Sequence, residues 1–273
     1  MPLRIAAAVA VVGNVAWNAG YDRVLTSAPT IEQASAHYQN PFTPAGFTFV
    51  IWAAIYASFA AFAFWLLATV TGRNNRAVDP LLPAFIGMNV LASVWIALFV
   101  EDLLVLSVLA IAAQLALGVW GLVRSRSLVD AGAAPPFAAV PFGLFTAWLC
   151  VATLANITIA LVAFGVLSSS SAQSAWAIAM LVAAAVAGAF GAQRSGPVFA
   201  LVVAWAAFGV YRATFDANPA VSTTAILAAT LLGLVALSVG VLGTHRGRAL
   251  QKRARRAAAV ATRVDVLRGT KLR

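Results

Sequence analysis

Residues 46–70 read Gly46-Phe-Thr-Phe-Val-Ile-Trp-Ala-Ala-Ile-Tyr-Ala-Ser-Phe-Ala-Ala-Phe-Ala-Phe-Trp-Leu-Leu-Ala-Thr-Val70, and no side chain among them carries a charge. A helix needs about 20 consecutive apolar residues to cross a hydrocarbon core about 30 Å thick. Inside lipid, the backbone N–H and C=O groups of a segment must form hydrogen bonds within the protein, as they do in a helix. The stretch also lacks the alternation of polar and apolar residues that is typical of a membrane β-strand. The stretch therefore predicts a transmembrane α-helix.

Seven further runs have the same character. The chain of 273 residues is 62% hydrophobic and only 10% charged, whereas an ordinary soluble domain is about 25% charged. We therefore predict an all-α, polytopic transmembrane helical bundle. Its expected eight spans are residues 3–21, 46–70, 81–100, 103–123, 137–166, 175–191, 197–213 and 221–243.

The distribution of Lys and Arg predicts the orientation of the bundle. If the N-terminus is cytoplasmic, 16 of the 18 Lys and Arg residues lie inside, and only Arg23 and Arg212 lie outside. This is the positive-inside asymmetry of polytopic proteins, and it predicts that both termini are cytoplasmic.

A basic tail follows the last span. Residues 245–273 hold ten Lys and Arg residues and one acid, so they carry +9 of the net charge of +10. Nucleic-acid binding is the usual interpretation of such a charge. Because the tail directly follows a membrane span, we instead predict contact with anionic lipid and no nucleic-acid partner.

The first run has a second interpretation. Arg4 followed by an alanine-rich stretch is typical of a cleaved signal peptide. Asn14, Trp17 and Asn18 make the second half of the run polar, and no convincing small-residue cleavage site precedes a mature domain. These features favour a retained helix.

Asp, Glu, Lys and Arg are missing from the interior of the predicted spans, and both histidines, His37 and His245, lie outside them. Proton relays, carboxylate dyads, metal clusters and nucleophile–histidine pairs would need such residues at membrane depth. We therefore predict a protein that is not an enzyme, has no metal site and requires no cofactor. Chemistry through tryptophan is the enzymatic alternative that stays open.

Aromatic residues occupy the spans where charges are absent. Phe49, Trp52 and Tyr56 form one stripe at helical spacing in the second span, and Trp148 and Asn156 share a face of the fifth. An indole N–H in hydrocarbon needs a partner, so tryptophans inside the spans should point inward. An aromatic pocket below the outer loop, residues 22–45, would gather such side chains.

The same side chains also suit ordinary packing between helices, with Asn89 and Asn156 as interhelical hydrogen-bond partners. The candidate ligand-binding residues are Trp17, Phe49, Trp52, Tyr56, Asn89, Trp95, Trp148 and Asn156. In the sixth span, Ala184, Gly188 and Gly191 form a face of small residues, which suits internal packing or a homodimer.

Two motifs carry a resemblance to a known family. The segment Pro41-Phe-Thr-Pro-Ala-Gly-Phe-Thr-Phe-Val-Ile-Trp-Ala-Ala-Ile-Tyr56 resembles the signature P-x-x-x-P-P-G-W-x-F…V-W-x-x-L-Y of the TspO/MBR family, the tryptophan-rich sensory or translocator proteins. Trp148-x-x-x-Ala152-x-x-x-Asn156 is similar to that family's fifth helix. Ala45 and Phe47 depart from the signature, where the family has a second proline and a tryptophan.

The resemblance covers residues 1–166 and implies a TspO-like five-helix unit there. Residues 167–244 resemble the three additional helices of longer bacterial members, and 245–273 form the tail. What the family implies is a multi-pass protein of the bacterial inner membrane that holds a flat hydrophobic ligand, such as a porphyrin or haem-like molecule, in an aromatic pocket. Two alternatives stay open: a secondary transporter of a hydrophobic or weakly polar solute, and a Trp-based enzyme that modifies porphyrins or pigments.

Overall fold

A computed structural model of the chain describes residues 1–25, 28–69 and 73–242, with the side chains of 73–75 left out. The predicted basic tail, residues 245–273, lies outside the described part. The α-helices, labelled in chain order, are α1 Pro2–Val24, α2 Ile31–His37, α3 Ile51–Ala68, α4 Leu82–Val100, α5 Leu104–Asp130, α6 Val140–Ala163, α7 Ser170–Ser195, α8 Pro197–Thr214 and α9 Pro219–Leu242.

Eight helices are long and apolar enough to cross a membrane, and no strand occurs in the described ranges. The predicted helical fold and its eight spans are therefore confirmed. The remaining helix, α2, is a single short helix inside the predicted outer loop. Three 3₁₀ segments, Gly46–Val50, Arg73–Leu81 and Pro136–Ala139, lead directly into α3, α4 and α6.

The helices pack mainly against their sequence neighbours, and α6 joins the two parts of the bundle. Helix α1 lies against α3 and α4, while α4, α5 and α6 follow one another. Helix α6 also contacts α3, α7 and α8, and 61% of its spanning window is buried, against 22% for α1. Residues on α6 are therefore placed to reach both groups of helices.

The three C-terminal helices are packed onto the first five. Helix α8 contacts α6 and the 3₁₀ segment before α3. Phe42, in the loop after α2, is fully buried beside a small cavity lined by α6, α7, α8 and α9. The division of the chain at residues 166 and 167 stays a prediction.

The small-residue face of α7 is used inside the bundle. A Cβ added to Gly188 would lie 2.9 Å from Leu232 Cδ2 and 3.1 Å from Val203 Cβ, and one added to Gly191 would overlap the Phe199 ring. Glycine lets α7 approach α8 and α9 closely at these positions. Of the two uses considered for this face, the structure shows internal packing, and a homodimer stays a prediction that needs another surface.

One end of the bundle is held by a buried ion pair that the sequence pattern did not indicate. The Arg4 guanidinium lies 2.8 Å from Asp79 Oδ1 and donates a hydrogen bond of 3.2 Å to the Leu66 carbonyl. Its side chain is almost fully buried. This contact fastens the start of α1 to the end of α3 and to the segment before α4. At the opposite end, called here the α2 end, lie α2 and the turns α4–α5, α6–α7 and α8–α9.

Candidate ligand-binding site

The start of the α3 span is positioned by α8. The Ala45 N–H donates to the Gly209 carbonyl at 3.1 Å, and the Trp205 indole N–H donates to the Thr48 carbonyl at 3.0 Å. A Cβ on Gly209 would overlap Thr48 Cγ2 and lie 3.0 Å from Pro44 Cβ, so only glycine permits this approach. Helix α8 therefore fixes the segment that leads into Phe49 and Trp52.

Trp52 lies at the centre of an aromatic cluster. Its ring is stacked on Trp95 with centroids 6.2 Å apart and meets Trp148 edge-on at 6.3 Å. On its own helix it stacks on Tyr56 at 5.6 Å. Phe49 meets Trp148 edge-on at 6.1 Å. Helices α3, α4 and α6 thus bring their predicted aromatic residues together.

Asn156 connects α6 to α4 and α5 beside this cluster. Its side-chain oxygen accepts a hydrogen bond of 2.8 Å from the Trp95 indole N–H, and its amide nitrogen donates to Ser107 Oγ at 3.0 Å. The Ser107 hydroxyl also donates a hydrogen bond of 2.8 Å to the Leu104 carbonyl. The amide is buried and has partners on two other helices, as an amide in hydrocarbon requires.

A cavity of about 40 Å³ lies within the cluster. Its wall includes Phe49, Trp52, Trp95, Trp148 and Asn156, and no ionisable side chain lines it in the described part of the chain. This space has room for only a few water molecules. It is far smaller than the roughly 300–1,000 Å³ of sites for small organic ligands. A porphyrin-sized molecule can enter only if the wall moves.

Two polar groups in the cavity wall have no partner. The indole N–H groups of Trp52 and Trp148 are buried, and neither has a hydrogen-bond acceptor among the described residues. A buried donor left without an acceptor costs about 1–3 kcal/mol. A ligand with an acceptor within hydrogen-bond reach of either N–H would remove that cost.

The other three candidate residues lie away from the cavity wall. Tyr56 stacks on Trp52 without lining the cavity, and Trp17 on α1 has Tyr21 as its ring neighbour at 6.4 Å. Asn89 is fully buried and accepts a hydrogen bond of 3.0 Å from Asn14. Asn89 thus makes an interhelical hydrogen bond, as one of its two interpretations expects, and its part in ligand binding stays a prediction.

Some residues that line the cavity were not predicted from the sequence. Phe99 lines the cavity and stacks on Trp95 at 5.3 Å, and its position four residues after Trp95 was an available signal. Ile31 and Ser35 of α2 also line the cavity. Nothing in the sequence indicated these two, because their contact depends on how the loop folds over the bundle.

Helix α2 covers the cavity, and few hydrogen bonds between it and other described residues hold it in place. A capping box between Thr30 and Gln33 closes its N-terminus. After its C-terminus, the Tyr38 hydroxyl donates a hydrogen bond of 2.7 Å to Asp102 Oδ2 in the α4–α5 turn. This bond to the carboxylate raises the pKa of Tyr38 above its ordinary value, because ionisation would remove the donor and place two negative charges together.

A comparison with protein families places this architecture. The family model described as TSPO-like protein matches residues 4–238. The chain belongs to that family. The match extends over all eight spans of this TSPO-like protein, so the resemblance seen in the two sequence motifs is confirmed and reaches α7, α8 and α9. No curated protein and no solved structure matches the chain.

This TSPO-like protein is therefore an integral, multi-pass membrane protein with a buried aromatic cluster. No group of three or more His, Cys, Asp or Glu residues in the described ranges could hold a metal ion. The polar atoms that the cavity offers are amide, hydroxyl and indole groups. Such groups can bind and orient a ligand through hydrogen bonds and stacking.

Proposed function

We propose that this TSPO-like protein binds a flat hydrophobic ligand, such as a porphyrin or haem-like molecule, between the rings of Trp52, Trp95 and Trp148. Its role would be sensory or translocator-like and not enzymatic. The observation that carries the proposal is a pair of buried indole N–H groups in an aromatic wall; within the described part of the chain these groups have no acceptor, and no ionisable residue lines the wall. Flat ligands stack on such rings, and each aromatic pair adds about 0.5–1.5 kcal/mol.

Binding requires the cavity to widen, and α2 is the part of the wall best suited to move. It is seven residues long, whereas the rest of the wall belongs to the spans or to the segment that α8 holds. Displacing α2 would free the space beside Ile31 and Ser35 while the three tryptophans stay in place. The ligand would then take the position of α2 side chains and accept hydrogen bonds from the two indoles.

The test is a titration of the purified protein in detergent with protoporphyrin IX, followed by the absorbance of the porphyrin itself. We expect saturable binding that is about fivefold weaker in Trp52→Phe and in Trp148→Phe, because each variant keeps a ring and loses one donor worth about 1 kcal/mol. Trp120→Phe is the matched control, since Trp120 is about half exposed and lies outside the cluster.

Three results would argue against this function. Binding without saturation, or equal affinities in all four proteins, would show that the cluster is not the site. Uptake of a hydrophobic solute into liposomes that depends on an ion gradient would favour the transporter. A progressive loss of porphyrin absorbance under turnover would favour the pigment-modifying enzyme.

We also propose that the protein lies in the bacterial inner membrane with cytoplasmic termini, and that its tail contacts anionic lipid. The test uses single cysteines in a Cys150→Ser background and a maleimide that cannot cross membranes. Ser169→Cys, in the α6–α7 turn, should react in intact cells. Arg126→Cys, near the end of α5, should react only after lysis. The opposite result would reverse the orientation.

A further inference from the structure

We propose that the ligand is amphipathic and cationic: its flat apolar part occupies the aromatic cavity, and its positively charged group lies in a polar groove beside Glu32. This inference rests on the proposed function and names the ligand class for that site. A second concave surface, next to the aromatic cavity, lies at the α2 end.

The groove has a volume of about 550 Å³ and lies between two groups of elements. One wall is α2 and the loop that follows it. The other wall belongs to the three C-terminal helices and includes Gln173 and Ser174 of α7 and Asn218 before α9. The C-terminal helices therefore supply half of a surface that the first five helices could not form alone.

The groove adjoins the aromatic cavity. Ser35, Thr43, Pro44 and Phe49 line both spaces. A ligand whose apolar end lies among the tryptophans would therefore have its other end in the groove, with Phe49 and Pro44 between the two parts. The shift of α2 that admits the apolar end would widen the opening between the two spaces and keep Glu32 in the wall of the groove. The groove, at about 550 Å³, offers space for a ligand group that the cavity, at about 40 Å³, does not.

Glu32 is the only ionisable residue among those described in the groove wall. Its carboxylate lies over the start of the α3 span, where a Cβ on Gly46 would overlap Glu32 Oε1. No ion pair involving Glu32 is found in the described residues. This places a negative charge, without a counter-charge among the described residues, close to Pro44 and Phe49 where the two spaces meet.

Most other polar groups of the groove already have partners. The Asn218 amide donates to Ser174 Oγ at 2.7 Å, and the Gln173 amide donates to the Leu167 carbonyl at 2.9 Å. Asn40 binds Thr43 and the loop backbone. The Glu32 carboxylate is thus the group of the groove that can discriminate between ligands of different charge.

The charge of the whole α2 end has the same sign. The described helix ends and turns at this end hold five carboxylates and two guanidinium groups, a net charge of −3; they are Asp22, Glu32, Glu101, Asp102 and Asp216 against Arg23 and Arg212. Such a field attracts cations to a cleft and repels anions, more strongly at low salt. A porphyrin with two free carboxylates would therefore be a poorer ligand here than the same ring with basic side arms.

The experiment compares three ligands that share one ring: protoporphyrin IX, its dimethyl ester, and its bis-amide with two dimethylaminoethyl arms. We expect the bis-amide to bind most tightly and the dicarboxylate most weakly. Because Glu32 is exposed, Glu32→Gln should reduce the preference for the bis-amide about two- to fivefold, as for an exposed ion pair, and leave the affinity for the ester unchanged. Glu101→Gln is the matched control, because it also removes one negative charge from the α2 end but lies outside the groove.

The results separate this inference from the function on which it rests. If all three porphyrins bind with saturation but Glu32→Gln and Glu101→Gln have equal effects, the cationic site is overturned and the aromatic site stands. Tightest binding of the dicarboxylate would also overturn it. If none of the three binds with saturation, both proposals fall. A preference for the bis-amide that weakens at 0.5 M salt and in Glu32→Gln alone supports the inference.

Discussion

The indole N–H of Trp95 on α4 donates a hydrogen bond of 2.8 Å to the side-chain oxygen of Asn156 on α6. Ser107 on α5 binds the same amide. One side chain therefore fixes three helices at the depth of the cavity. This makes Asn156 a residue whose loss should be measurable in the stability of the bundle as well as in ligand binding.

Asn156→Leu should lower the free energy of unfolding in detergent by about 1–2 kcal/mol, because it removes the acceptor for Trp95 and a partner of Ser107. Thermal unfolding followed by circular dichroism measures this. Ser127→Ala is the control, since Ser127 is exposed and bonds only to its own helix. Equal midpoints for the two variants would contradict the structural role of the amide.

Gly209→Ala should destabilise the protein by about 1–3 kcal/mol, because the added methyl group overlaps a packed side chain. That neighbour is Thr48, which is fully buried and bonded to the Ala45 carbonyl at 2.6 Å, so it cannot turn away. Porphyrin affinity should fall with stability, since the same segment leads into Trp52. Gly233→Ala on α9 is the control, because a Cβ there meets no atom of the described residues within 4 Å. The prediction fails if both alanine variants behave alike.

Tyr38→Phe should loosen the cover over the cavity. The variant removes one hydrogen bond to Asp102, so amide hydrogen exchange in α2 should become about fivefold faster, as expected for a bond worth about 1 kcal/mol. Exchange in α6 serves as the internal control within the same protein. Unchanged exchange in α2 would show that the bond does not hold the helix.

The same bond predicts an alkaline transition. Asp102 raises the pKa of Tyr38 in the folded protein. The bond therefore stabilises the folded protein fully at pH values below the pKa of tyrosine in the unfolded chain, about 10. This stabilisation is lost as the pH rises through the higher pKa of Tyr38 in the folded protein. Ultraviolet titration of wild type against Tyr38→Phe isolates this residue. Asp102→Asn should return its pKa toward the ordinary value, and Asn tolerates the φ of +60° found at this position.

Asp79→Asn should destabilise the protein by about 1–3 kcal/mol, because it removes the carboxylate that neutralises a buried guanidinium. This loss of stability is smaller than for a fully buried ion pair, because the Asp79 side chain is 39% exposed. Asp130→Asn is the matched control. Its partner Arg126 lies 3.6 Å away on the surface of the same helix, and such pairs contribute less than about 0.5 kcal/mol. Similar unfolding midpoints for the two variants would refute the role of the Arg4 contact.

The candidate site was predictable to the extent that it depends on spacing along single helices. Phe49 and Trp52 share a face of one span, as do Trp148 and Asn156, and all four line the cavity. Trp17 was grouped with them because of its predicted depth in the membrane. Depth does not fix the direction in which a side chain points, and Trp17 contacts Tyr21 on its own helix instead.

Sequence alone determined the number and kind of the spans, because crossing a bilayer depends on the length and polarity of one continuous segment. Only the tertiary structure decided which faces meet. Helices that are apolar all round carry little pattern to mark an inner side, since lipid and protein interior are equally apolar. The joining of Trp205 to Thr48, 157 residues apart, and the closed size of the cavity depend on how complete helices fit together, and no local segment encodes that fit.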